Sequence, residues 1–102
     1  MNLEFKKSFE KDLLKILEPD LLARIQEAIF LVEQAEQLSE ISNLKKLKGS
    51  TDYYRMRVGD YRIGIKVNDG VVSFVRILHR KEIYRYFPES WLNPDKTSQT
   101  LG

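Results

Sequence analysis

KKLKGSTDYYRMRVGDYRIGIKVNDGVVSFVRILHR, residues 45–80, is the stretch from which the fold can be read. Tyr53–Val58 alternates, with Tyr54, Met56 and Val58 on one face and Tyr53, Arg55 and Arg57 on the other. A period of two marks a half-buried strand. Gly59-Asp60 follows as a two-residue hairpin signal. Tyr61–Val67 alternates again, setting Tyr61, Ile63, Ile65 and Val67 against Arg62, Gly64 and Lys66. Asn68-Asp69-Gly70 makes a second turn. Val71–His79 is apolar on both parities, as expected of an interior strand covered on two sides. One parity carries Val72, Phe74, Arg76, Leu78 and Arg80, and the other Val71, Val75, Ile77 and His79. A bulge would exchange these faces.

The flanking sequence supplies what this meander packs against. Asn2–Phe5 reads as a short first strand with Leu3 and Phe5 on one side. Ser8 is placed to cap a helix with an apolar stripe at Phe9, Leu13, Ile16 and Leu17. Pro19 stops that helix and opens a second, from Asp20 to about Gln37. Its stripe is Leu22, Ile25, Ile29 and Val32, flanked by Leu21 and Ala28. The two helices are expected to form an antiparallel hairpin resting on the sheet. Residues 38–52 receive no firm assignment, although Leu38, Ile41, Leu44 and Leu47 hint at a helical turn. After Arg80, residues 81–87 read as a short helix or turn ended by Pro88. The fold class is thus α+β, an N-terminal strand and helical hairpin packed on an antiparallel sheet in the order β-α-α-β-β-β, with a short C-terminal helix. One domain is expected over residues 1–92, with a flexible tail over residues 93–102.

Charge is segregated along the chain. Of its 102 residues, 1–44 carry five Lys/Arg against nine Asp/Glu, whereas 45–87 carry eleven against four. A basic half on an acidic base points to a polyanionic partner on one face. With no cysteine, the chain offers neither disulfides nor a thiolate metal site. No apolar run reaches the length of a membrane span, and MNLEFKKSFEKD lacks a signal-peptide block. A soluble, cytoplasmic protein without membrane attachment, metal or cofactor is the expectation.

Three pieces in this order, Leu47-Lys48-Gly49, Tyr54–Arg62 (YRMRVGDYR) and His79–Tyr84 (HRKEIY), resemble the RelE/ParE superfamily of type II toxin–antitoxin toxins. The resemblance covers nearly the whole chain. It implies an mRNA interferase, an endoribonuclease that inhibits translation by cutting message in the ribosome, with a cognate antitoxin as partner. It also leaves open a ParE-like inhibitor of DNA gyrase, or an inactive basic binding module on the same fold.

Cutting RNA with its own 2′-hydroxyl requires charge stabilisation at phosphorus, a base for the hydroxyl and an acid for the leaving oxygen. Arg55, Arg57, Arg62 and Arg80 meet the first need, since guanidinium groups match phosphate geometry. By resemblance, Arg55 and Arg57 stand at the family's basic strand positions, and Arg62 and Arg80 at its phosphate-contacting arginines. Some ribonuclease members carry lysines at those strand positions. His79 has the intrinsic chemistry for proton transfer, or serves as a strand-end structural residue. Tyr84 resembles the family's C-terminal tyrosine, and Tyr86 is an alternative by spacing. Glu82 and Lys66 are further proton-transfer candidates. Lys45, Lys46, Lys48, Tyr53, Lys66, Arg76 and Tyr86 are expected to contact RNA, through phosphates or, for the rings, by stacking.

Overall fold

The computed structural model describes residues 1–87. In chain order these form β1 (Asn2–Phe5), α1 (Lys7–Leu14), α2 (Pro19–Gln34), β2 (Leu44–Lys46), β3 (Tyr53–Val58), β4 (Tyr61–Asn68), β5 (Val71–His79) and α3 (Ile83–Tyr86). The expected stop at Pro88 and the tail from Asn93 lie outside the described residues. The five strands make one sheet in the order β1-β5-β4-β3-β2.

The meander follows the alternation that encodes it. Tyr53 pairs with Lys66 and Val58 with Tyr61, so the Gly59-Asp60 connection closes β3 onto β4 in two residues. Gly59 takes φ of +58°, a conformation that glycine adopts without the cost a side chain would bring. Two features depart from the expected order. Leu44–Lys46, in the segment without a firm assignment, is a strand paired antiparallel to β3 and adds a strand to the expected order. The helical part of that segment is only a single 3-10 turn at Leu38–Glu40. At the other edge, β1 runs parallel to β5, so the sheet is mixed.

α1 packs over β5 and α2 over β3, on one face only. Their buried residues, among them Phe9, Ile16, Ile25 and Val32, meet Met56, Ile63, Ile65, Val72, Phe74 and Ile77. The α2 stripe is centred on Leu21, Ile25, Ala28 and Val32, one residue round from the expected line, and Leu22 and Ile29 are only partly buried. Leu17 is exposed, because α1 ends at Leu14 before that position could join its stripe.

Ser8 does not cap α1. The helix begins after Lys6, and the Ser8 hydroxyl donates instead to the Val75 carbonyl. Geometry at the sheet edge explains this. β1 pairs with β5 only as far as Phe74, which leaves the outer edge of residues 75–79 without a neighbouring strand. α1 takes over there: Ser8 satisfies the Val75 carbonyl, and the Asp12 carboxylate accepts the Ile77 N–H at 3.0 Å. Asp12 also receives Arg76 in a two-pronged pair, Nε at 2.7 Å and Nη2 at 3.1 Å.

A register shift between Gly64 and Ile65 leaves Val75 as an extra residue on β5. That bulge exchanges the strand's faces. Val72 and Phe74 before it, and Ile77 after it, belong to the core beneath the helices. Val75 joins a second, smaller cluster with Tyr53, Ile83 and Phe87 on the opposite face, against which Leu78 also packs. This cluster holds α3 on the sheet. A Cβ on Gly64 would lie 2.6 Å from the Phe87 ring, so β4 needs a glycine there for the ring to lie on the backbone. Gly64→Ala is expected to cost about 1–3 kcal/mol, as overpacking does, and to unseat α3. Urea denaturation together with the fluorescence of residues around α3 checks both parts.

Candidate nucleic-acid interface

Facing residues in an antiparallel pair share a side of the sheet, so the register fixes which side chains converge. Arg55 faces Gly64, Arg57 faces Arg62, and Arg62 faces Leu78. All of these project away from the helical layer, on the α3 side. Asn43 locks the Arg57 backbone: its carbonyl accepts the Arg57 N–H at 3.1 Å, and its side-chain amide donates to the Arg57 carbonyl at 2.6 Å. Arg62 Nη1 donates to the Gly59 and Tyr61 carbonyls, each at 2.9 Å, so the hairpin turn holds its guanidinium. Arg80 follows the end of β5. Its N–H donates to the Asp60 carbonyl at 2.7 Å and its Nε lies 3.8 Å from the Asp60 carboxylate.

These four guanidinium groups feel one another. Partial burial lowers the Arg62 pKa from its ordinary value, and the charges of Arg55, Arg57 and Arg80 lower it further, while Tyr84 acts in the opposite direction. Arg62 remains charged in this setting, since a guanidinium does not deprotonate under protein conditions. Part of the depression is mutual repulsion, which an anion bound among the arginines would relieve. Tyr84, 56% exposed on α3, lies at this cluster. Tyr86 lies elsewhere, with the Arg76 guanidinium 5.5 Å from its ring centroid. Of the two tyrosines that spacing left open, Tyr84 is the one at the arginines.

Other expected site residues are distributed differently. Lys45 faces Arg55 and Lys66 faces Tyr53, so both share the arginine side, whereas Lys46 faces Tyr54 and points to the other side. Lys48 is exposed in the loop between β2 and β3. Tyr53 is not a stacking platform. It is 5% exposed, packs edge-on to Phe87 at 5.8 Å, and burial followed by the Asp52 charge pushes its hydroxyl pKa up. Arg76 is committed to Asp12 at the sheet edge rather than presented to solvent. His79 requires the clearest correction. It pairs with Tyr61 across β4, and their rings meet edge to face at 5.7 Å. The bulge therefore turns His79 to the helical side, where it lines a cleft of about 530 Å³ with Glu18, Asp20, Arg24 and Asp60. From there it cannot reach a phosphate bound at Arg62. Glu82 lines a neighbouring cleft with Asp12, Lys15 and His79.

Two residues that shape the interface escape a reading by periodicity. Gly64 has a signal, a glycine inside an otherwise alternating strand, which marks close approach of another group. Asp12 has one too, an acid three residues from Phe9 within a helical stripe. Among the described residues no group of three or more His, Asp or Glu is placed to hold a metal, and no helix is long and apolar enough to cross a membrane.

The architecture is thus a layer of helices on one side of a sheet, with clustered arginines on the other. Residues 3–84 match the family described as ParE toxin of type II toxin-antitoxin system, parDE. The chain is 45% identical over 89 residues to Toxin RelE3 of Methanocaldococcus jannaschii, a match covering 86% of this chain and all of that protein. Its fold matches the toxin in a RelB–RelE antitoxin–toxin complex from Methanococcus jannaschii with a TM-score of 0.70 at 45% identity, over 83% of this chain and 99% of that one. An archaeal RelE–RelB complex from Pyrococcus horikoshii OT3 matches at a TM-score of 0.64 and 29% identity, over 78% and 93%. The chain belongs to the RelE/ParE superfamily of type II toxin–antitoxin toxins, on its RelE-like side.

Proposed function

We propose that this toxin is an mRNA endoribonuclease that acts on message held in the ribosome, and that a cognate antitoxin neutralises it. One observation carries the reading: Arg55, Arg57, Arg62 and Arg80 converge, with an exposed tyrosine, on the face that the helices leave open. The RelB–RelE complexes formed by its relatives support the antitoxin.

In the proposed reaction a ribose 2′-oxygen bonds to the adjacent phosphorus as the P–O5′ bond breaks. A 2′,3′-cyclic phosphate and a 5′-hydroxyl result; the 2′-hydroxyl gives up a proton and the departing 5′-oxygen gains one. Negative charge grows on the phosphoryl oxygens, and fixed guanidinium groups stabilise it where it develops. Arg62 is suited to this because the turn carbonyls already hold it, so little reorganisation accompanies the reaction. Tyr84 offers a ring for a neighbouring base and a phenol that can hydrogen-bond the leaving oxygen.

With His79 behind the sheet, this face is rich in charge and poor in proton carriers. Most of the rate must then come from electrostatics and from holding the nucleotide in line, which contributes on the order of 7–11 kcal/mol. A ribosome that fixes the message supplies such positioning. Mapping RNA ends after incubation with programmed ribosomes or with naked message tests the reading. Cuts confined to ribosome-bound message are expected. Efficient cutting of naked RNA would remove the ribosome from the proposal, and intact RNA beside inhibited DNA gyrase would overturn the nuclease reading.

A further inference from the structure

His79 is misplaced for proton transfer to RNA, yet its contacts bear directly on Arg80. Three consecutive amides follow it, and each has an acceptor. Arg80 N–H donates to the Asp60 carbonyl at 2.7 Å, Lys81 N–H to His79 Nδ1 at 3.2 Å, and Glu82 N–H to the His79 carbonyl at 2.8 Å. Two of the three bonds end on His79. Together they shape the turn that carries Arg80 at one end of the cluster and starts α3, which bears Tyr84, at the other.

We propose that His79 is a positioning residue whose Nδ1 latches this turn, and that protonating the imidazole releases it, making the arginine site acid-sensitive. The inference rests on the nuclease reading above for its activity readout, but not for its structural one. Accepting at Nδ1 requires a lone pair, so the latch exists only in the neutral imidazole with its proton on Nε2. Once Nδ1 is protonated, two donors face each other, and the Lys81 N–H loses its acceptor.

The groups facing His79 come from every element packed around it. α2 and its N-terminal approach present Glu18, Asp20 and Arg24; the β3–β4 turn presents Asp60; and β4 presents Tyr61. From the other side come Asp12 of α1, already paired with Arg76, Lys15 just after that helix, and Glu82 from the turn itself. The expected effect on catalysis follows from geometry. A displacement of about 1 Å in a positioning group can cost on the order of 10²-fold in rate.

His79→Asn and His79→Ala separate a latch from a space-filling ring. The asparagine amide oxygen sits the same number of bonds from the backbone as Nδ1 and accepts a hydrogen bond at any pH. His79→Asn should therefore keep most of the neutral-pH cleavage rate on programmed ribosomes. His79→Ala should lose about 10²-fold in kcat with little change in KM, because Arg55, Arg57 and Arg62 still bind. The ratio of wild-type to Asn-variant rates should fall as the pH is lowered, a comparison that cancels the reaction's own pH dependence. In the wild-type toxin, the protection of the Lys81 amide, its hydrogen exchange taken relative to the intrinsic rate at each pH, should fall as the imidazole takes up its proton. Equal impairment of the Asn and Ala variants, or a Lys81 amide indifferent to that titration, would overturn the latch. A wild-type protein that cuts nothing at any pH would instead refute the nuclease reading, and the Lys81 amide would still decide the latch.

Discussion

Arg62→Ala is expected to slow single-turnover cleavage of ribosome-bound message by about 10²–10³-fold, the cost of removing one preorganised donor from a developing oxyanion. Stability should change far less. Arg62 lies among Arg55, Arg57 and Arg80, so deleting its charge relieves repulsion even as two hydrogen bonds to turn carbonyls are lost. Those carbonyls belong to an open hairpin turn, and water can replace the lost donor. A shift within roughly 0.5–1 kcal/mol is the expectation. Arg62→Lys keeps a positive charge but not the planar fork, and should fall between wild type and alanine. The double variant with Arg80→Ala should lose less than the product of the two single losses, because both guanidinium groups serve one phosphate. Cleavage by Arg62→Ala at the wild-type rate would remove the charge-stabilising role assigned to this cluster.

Asp12→Ala should have the largest effect on stability, about 3–5 kcal/mol, the cost of stripping one partner from a buried ion pair. The Asp12 side chain is 4% exposed and that of Arg76 is 22% exposed, so solvent takes the missing partner's place only in part. The Ile77 N–H also loses its acceptor at the one stretch of β5 edge that no strand covers. Against a total stability of roughly 5–15 kcal/mol, such a loss removes a large share of the margin that keeps the protein folded. Replacing both partners, Asp12→Leu with Arg76→Met, should recover much of the deficit, because no uncompensated charge then remains. Urea denaturation of the three proteins is the measurement. A loss below about 1 kcal/mol for Asp12→Ala would mean that the pair behaves as an exposed one.

The fold was legible where a single period governed it. Tyr53–Val58 and Tyr61–Val67 each alternate, on either side of Gly59-Asp60, and the strands, the hairpin turn and the common side of Arg55, Arg57 and Arg62 all follow from that. Where two constraints competed, periodicity failed. β5 is apolar on both faces, so its sequence could not show that Val75 is bulged or that His79 faces the helices. β2 has only three residues, too few for any period, and its leucines fit helical spacing equally well. Ser8 had the composition of a cap, but an unpaired carbonyl on β5, far along the chain, claimed its hydroxyl. Tyr84 and Tyr86 were equivalent by counting. Their separation depends on how Phe87 seats against Gly64, a contact that no local pattern encodes.

The acidic residues of the N-terminal 44 lie largely in the helical layer, and the guanidinium groups lie across the sheet from it. The molecule is consequently an electric dipole whose axis runs from the helical layer through the sheet. A body of that kind experiences a torque before it touches a negatively charged surface, so it arrives already turned, basic side leading. Dissolved ions shorten the reach of that torque, so added salt penalises the toxin's search for its target before it weakens the complex.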